Sequence, residues 1–186
     1  LSAQLVGQET AINNANNANS MMQTAEGAFE EMTNIAYRMK ELATQGANGT
    51  NSATEYTALD AEYQALSAEL TSIMDNTSFG AGTNLLSAAG TFGAGAVTFQ
   101  IGASSAETLD VDISGELGTV TTTIGTIGDL TSQANSSTAI DTLDTLLGDI
   151  GAARSSLGST MNRLDHTINN LSNMTENTGA ARDQLM

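Results

Sequence analysis

Ile140, Leu143, Leu147, Ile150, Arg154, Leu157, Met161, Leu164, Ile168, Leu171 and Thr175 follow one another at alternating gaps of three and four. Only Arg154 and Thr175 break the apolar rule over more than four heptads. Such spacing specifies a long helix with one narrow apolar seam. The segment "TMNRLDHTINNLSN" shows the pattern plainly: its seam residues are apolar and nearly everything between them is polar. The chain contains no proline, so nothing forces a break in a helix of this length.

A second series lies on the same grid near the start: Ala11, Asn14, Ala18, Met21, Ala25, Ala28, Met32, Ile35, Met39 and Leu42. Its small residues let a partner helix approach closely. The stretch "QGANGTNS" at 45–52 ends it with turn-forming residues. A third series, Tyr56, Leu59, Tyr63, Leu66, Leu70 and Ile73, predicts a shorter helix. Helices are expected over 2–45, 53–75 and 137–183; at 1.5 Å per residue the two long ones each span about 65–70 Å and the middle one about half that. Part of the long pair is therefore left uncovered. Val97, Phe99 and Ile101 alternate with polar residues, as do Leu109, Val111 and Ile113, which predicts a β-hairpin over 97–113 with one apolar face to fill that space. Residues 115–136, rich in Thr, Ser and Gly, are expected to form a short linker, a loop or weak helix. The expected fold class is mainly α: one elongated antiparallel bundle over 1–186, with a β-hairpin packed at one end.

The balance of charge excludes several partners. Formal net charge is −16, and the only fixed cations are Arg38, Lys40, Arg154, Arg163 and Arg182. Nucleic acid and anionic membrane surfaces require clustered cations. No apolar run approaches the roughly 20 residues that span a bilayer. The absence of cysteine removes disulfides and thiolate metal sites.

Catalytic chemistry finds no foothold. His166, the one histidine, falls on the polar side of the last helix with no nucleophile or orienting partner in its pattern. Glu30–Glu31 and Asp141–Asp144 lack the ligand spacing and glycine turn of a calcium loop. Asp110 and Asp112 flank an inward-facing Val111, which places both on a solvated face. The glycines of "FGAGTN" and "FGAGAV" complete no nucleotide fingerprint. Asn-x-Ser/Thr matches at Asn48, Asn76, Asn135, Asn170 and Asn173 are expected by chance in so Asn-, Ser- and Thr-rich a chain. No catalytic residue, metal or cofactor is assigned.

Three blocks carry a specific resemblance. "MMQTAEGAFEEMTNIAYRMKELATQGANGTNS" (21–52), "FQIGA" (99–103) and "RSSLGSTMNRLDHTINNLSNMTENTGAARDQ" (154–184) resemble, in order, the N-terminal core signature, the hairpin strand and the C-terminal core signature of bacterial flagellin. The resemblance implies a rod-forming core domain. It further implies a structural subunit of the extracellular flagellar filament, assembling with other flagellin subunits through its helical faces for motility. Flagellins also carry terminal segments that build the inner tube and large outer domains after the hairpin. Neither is visible here, so the fragment itself is expected to be monomeric.

Flagellin is the ligand of a vertebrate Toll-like receptor, and the resemblance places a receptor-binding patch on Arg38, Glu41, Leu42, Gln45 and Glu62. At 100° per residue the first four gather on one helix face beside the Met32–Ile35–Met39 stripe. Three other readings compete. A hook–filament junction protein would share the Arg38–Glu41–Leu42 segment and the "GANGT" turn, but "INNLSNMTEN" and "FQIGA" favour flagellin. A surface-displayed homologue binding polysaccharide would need aromatic platforms, and the chain has only three Tyr and four Phe. A cytoplasmic coiled-coil scaffold accounts for the heptads but not for the hairpin.

Overall fold

A computed structural model describes residues 1–186. The chain begins with helix α1 (Ser2–Gly46), turns through 47–52 and returns along it as α2 (Ala53–Asn76). An irregular segment leads to strands β1 (Val97–Gln100) and β2 (Thr108–Val111), then a short helix α3 (Ser114–Gly125) and the long α4 (Gln133–Leu185). α1 and α4 run antiparallel. Gly46 backs onto Ser136 at one end, while Gln4 and Gln8 share a cleft with Leu171 and Met174 at the other. Two ion pairs between the helices keep the same order, Lys40–Asp144 at 2.6 Å and Glu26–Arg154 at 2.7 Å.

The seam on α4 forms as expected at its principal positions. Leu143, Ile150, Leu157, Leu164 and Leu171 are all buried, and His166 is exposed. The intervening positions shift. Ala139, Leu146 and Ala153 are buried, whereas Ile140, Leu147 and Arg154 are only half-buried. α1 shows a matching one-residue rotation: Ala15, Met22 and Ala36 are buried where Asn14, Met21 and Ile35 were expected. The cause lies in the third layer. A strict heptad describes two helices in contact, but α1 and α4 also pack against α2, α3 and the hairpin, and this widens each buried stripe. Full burial is worth about 1.5–3 kcal/mol for each Leu, Ile or Met side chain.

α2 covers the half of α1 nearest the 47–52 turn. Its start is set by a capping box: Ser52 Oγ accepts from the Glu55 amide at 3.2 Å, and Glu55 Oε2 accepts from the Ser52 amide at 2.8 Å. Tyr63, Leu70, Ile73 and Met74 are its buried face. The hairpin covers the other half. Its strands are shorter than expected, four residues each, and pair antiparallel with Val97 opposite Val111 and Phe99 opposite Leu109. Ile101 and Ile113 lie outside the ladder but still pack on the core. Asn14 Nδ2 donates to the Gln100 carbonyl at 3.0 Å and ties β1 to α1. Asp110 and Asp112 are exposed while Val111 between them is buried.

The 115–136 segment, expected as a loop or weak helix, contains a packed helix. Residues 114–125 are helical, Leu117, Val120 and Ile124 are buried, and α4 begins at Gln133 under a Ser132 cap rather than at 137. Thr and Gly disfavour a helix intrinsically, but packing against α4 overrides propensity. Thr123 Oγ1 reaches Asp149 Oδ2 at 2.6 Å and Ser156 Oγ reaches Glu116 Oε1 at 3.2 Å, fastening α3 to α4. Leu85, Leu86 and Phe92, from the irregular 77–96 segment, also enter the core.

Candidate functional site

Of the residues assigned from sequence, Arg38, Glu41 and Gln45 of α1 and Glu62 of α2 are exposed. Neighbouring core residues aim each member. Met39 is buried and turns Arg38 outward; Tyr63 is buried and does the same for Glu62. The 47–52 turn holds the two helices in register, with Asn51 Nδ2 donating to the carbonyls of Gln45 at 2.6 Å and Asn48 at 2.8 Å.

Arg38 and Glu62 meet in a two-pronged pair. Arg38 Nε donates to Glu62 Oε1 at 3.0 Å, and Nη2 donates to Glu62 Oε2 at 3.1 Å. Nη1 also reaches Glu41 Oε2 at 3.4 Å. The hydrogen bonds to Glu62, then to Glu41, hold the guanidinium above its ordinary pKa, so it is charged at every physiological pH. Both partners are well exposed, so solvent screens the pair and its geometric definition exceeds its contribution to stability.

Two members of the assigned set lie apart from this pair. Gln45 is exposed on the last turn of α1. Leu42 is 2% exposed and belongs to the core, so it is corrected from a surface contact to a residue that supports the patch from beneath. Tyr37 was missed. It is 58% exposed, beside Arg38, and the signal available was an aromatic off the apolar grid.

Elsewhere the surface offers no reactive constellation. No three carboxylate or imidazole groups converge as a metal site. The largest hollow, along residues 82–94, is lined by Gly, Ser, Thr, Asn and Ala and holds no titratable side chain. No helix is long and apolar enough to cross a membrane.

Comparison with known proteins agrees with this architecture. Residues 1–91 match the bacterial flagellin N-terminal helical region, and residues 140–186 match the bacterial flagellin C-terminal helical region. The chain is 37% identical over 184 residues to a flagellin of Halalkalibacterium halodurans, covering 98% of this chain and 65% of that one. It is 49% identical over 113 residues to polar flagellin F of Vibrio parahaemolyticus, covering 61% of this chain and 29% of that one. In structure it is similar to Bacillus cereus flagellin, with a TM-score of 0.75, 35% identity, and coverage of 91% of this chain and 94% of that chain. A putative flagellar hook-associated protein of Vibrio parahaemolyticus shares the fold, with a TM-score of 0.71 at 13% identity. Two family regions in order, and a relative matched along nearly the whole chain, give one conclusion: the chain belongs to the bacterial flagellin family.

Proposed function

We propose that this chain is the rod of a structural subunit of the extracellular bacterial flagellar filament, that it assembles with other flagellin subunits, and that it performs no catalysis. The observation that carries this reading is the division of the helices into a buried stripe and a mostly polar exterior. α1 and α4 bury one stripe each, and their outer faces are Asn, Ser, Thr, Gln and short acids that suit wet, hydrogen-bonded contacts between subunits. The test is direct. Filaments sheared from the source bacterium should yield the tryptic peptide 164–182, and disrupting the gene should alter or remove the filaments seen by electron microscopy. Absence of the peptide from purified filaments overturns the assignment.

A second reading rests on the Arg38–Glu62 pair. We propose that Arg38, Glu41, Gln45 and Glu62, supported by Leu42, form a contact patch for a flagellin-sensing vertebrate Toll-like receptor. An exposed Arg fixed in orientation beside an exposed Tyr is the residue chemistry of an interface anchor. Arg38→Ala and Glu62→Ala should each weaken receptor binding and leave the melting temperature nearly unchanged, because both side chains are solvent-screened. Unaltered affinity in both variants removes the patch without touching the family assignment.

A further inference from the structure

The turn between α1 and α2 contains the chain's one Asn-Gly step, Asn48–Gly49, and we propose that it deamidates spontaneously in the folded protein, giving aspartate and isoaspartate at position 48. The geometry favours the intramolecular attack. The Thr50 amide donates to Asn48 Oδ1 at 3.3 Å, an Asx turn that folds the side chain back along its own main chain and polarises its C=O bond. The Gly49 amide has no acceptor within the protein, and Gly49 has no Cβ to obstruct the approach. The main chain is held on both sides. The Asn48 amide donates to the Gln45 carbonyl at 3.2 Å, and the Asn48 carbonyl accepts from Asn51 Nδ2.

No other asparagine in the chain has this arrangement. After Asn51, the Ser52 amide is committed to Glu55 Oε2 by the capping box. After Asn76, Asn84 and Asn135, the next amide donates to the carbonyl of Ile73, Thr77 or Ser132 respectively. The remaining asparagines lie inside α1 and α4, where the following amide is part of the helical ladder. The same turn thus holds a reactive asparagine and, three residues on, a protected one.

The step balances with water alone. A base in solution takes the Gly49 amide proton, and the nitrogen attacks Asn48 Cγ. The Cγ–Nδ2 bond breaks, ammonia leaves with a proton from solvent, and a five-membered succinimide remains. Water then opens either carbonyl of the ring. One route gives aspartate; the other routes the main chain through the β-carbon as isoaspartate. Either product adds a negative charge to a chain already at −16. Isoaspartate also lengthens the turn and displaces the Asn48 carbonyl, which accepts from Asn51 Nδ2 and from the Tyr56 hydroxyl.

The experiment incubates the folded 186-residue chain at neutral and mildly alkaline pH, then cleaves it after glutamate. Cuts after Glu41 and Glu55 release peptide 42–55, which carries both Asn48 and Asn51. Tandem mass spectrometry locates the deamidated residue, and labelling by an isoaspartyl methyltransferase reports isoaspartate. The expected result is a rate at Asn48 at least about tenfold above that at any other asparagine, equivalent to about 1.4 kcal/mol of barrier. The rate should rise with pH and be at least that of the urea-unfolded chain. Gly49→Ala should slow it, with circular dichroism confirming retained helix, and Asn48→Gln should remove the isoaspartate label. Equal rates at Asn48 and Asn51, or a folded-state rate about tenfold below the unfolded one, overturns the proposal.

Discussion

Tyr63→Phe removes a single oxygen and tests how the segment after α3 is held to the rod. Tyr63 is fully buried, and its hydroxyl donates to the Ile127 carbonyl at 2.6 Å. Two further bonds act beside it: Gln64 Nε2 donates to the Gly128 carbonyl at 3.0 Å, and the Leu130 amide donates to Asp60 Oδ1 at 3.0 Å. Gly128 has φ of 72°, a left-handed conformation that glycine adopts without strain, and the chain reverses there toward α4. The substitution keeps the ring and its packing, so no cavity opens. The loss is the hydrogen bond and the desolvated Ile127 carbonyl left without a partner, about 1–3 kcal/mol. For a chain of this size each kcal/mol lowers the melting temperature by about 2–4 °C. Burial, reinforced by the charges of Asp129 and Asp60, raises the Tyr63 pKa well above the ordinary tyrosine value. A raised folded pKa means that stability from the neutral phenol is fully present below the ordinary tyrosine value and lost as pH climbs above it. Wild-type stability should therefore fall by up to about 1.4 kcal/mol per pH unit once pH passes about 10, a contribution the variant lacks. Thermal melts followed by circular dichroism should show a gap between the two proteins that is widest near neutrality and narrows in alkali. A gap that stays constant as pH passes about 10 refutes the assignment of the buried phenol as the responsible group.

Three other outcomes follow from the packing. Leu164→Ala should cost about 2–5 kcal/mol, because the side chain is fully buried in the seam, whereas His166→Ala should change stability by less than about 0.5 kcal/mol in the same melts. Gly46→Ala should destabilise by about 1–3 kcal/mol, since the added methyl collides with Ser136 of α4; combining it with Ser136→Gly should recover part of that loss. The 186-residue chain on its own should remain monomeric in light scattering as salt rises, and filaments growing from it would refute the expectation that charge and surface polarity keep the free rod apart.

Periodicity carried most of the fold in readable form. The heptads around Leu143, Leu157 and Leu164 predicted α4, and the alternation around Phe99 and Val111 predicted an inward-facing hairpin. The one-residue rotation toward Ala15, Met22 and Leu146 was not readable, because it depends on a third layer that heptad logic does not include. α3 was hidden by its own composition. Thr119 and Thr122 satisfy their hydroxyls on the carbonyls four residues back, and Gly115 and Gly118 add no side chain, so only its contact with α4 makes the helix evident. Leu85, Leu86 and Phe92 have no period to betray them. At the surface, the wheel placed Arg38 and Glu41 correctly but could not decide Leu42, whose position on the edge of the stripe becomes core once α2 is laid over it. The approach of Glu62 to Arg38 is a tertiary fact, set by the length of the 47–52 turn.

The antiparallel pairing of α1 and α4 also determines how the rod responds to pulling. The residues near Gln4 and those near Met174 lie at the same end. Tension applied through the two chain ends would load the layers one at a time, starting beside Gln8 and Leu171, and peel the helices apart at low force. Tension applied between opposite ends of the rod loads every layer from Leu171 to Ser136 in parallel, together with the Glu26–Arg154 and Lys40–Asp144 pairs that bridge the helices. One set of contacts is a zipper in the first geometry and a lap joint in the second, so the rod is compliant at its ends and stiff along its axis.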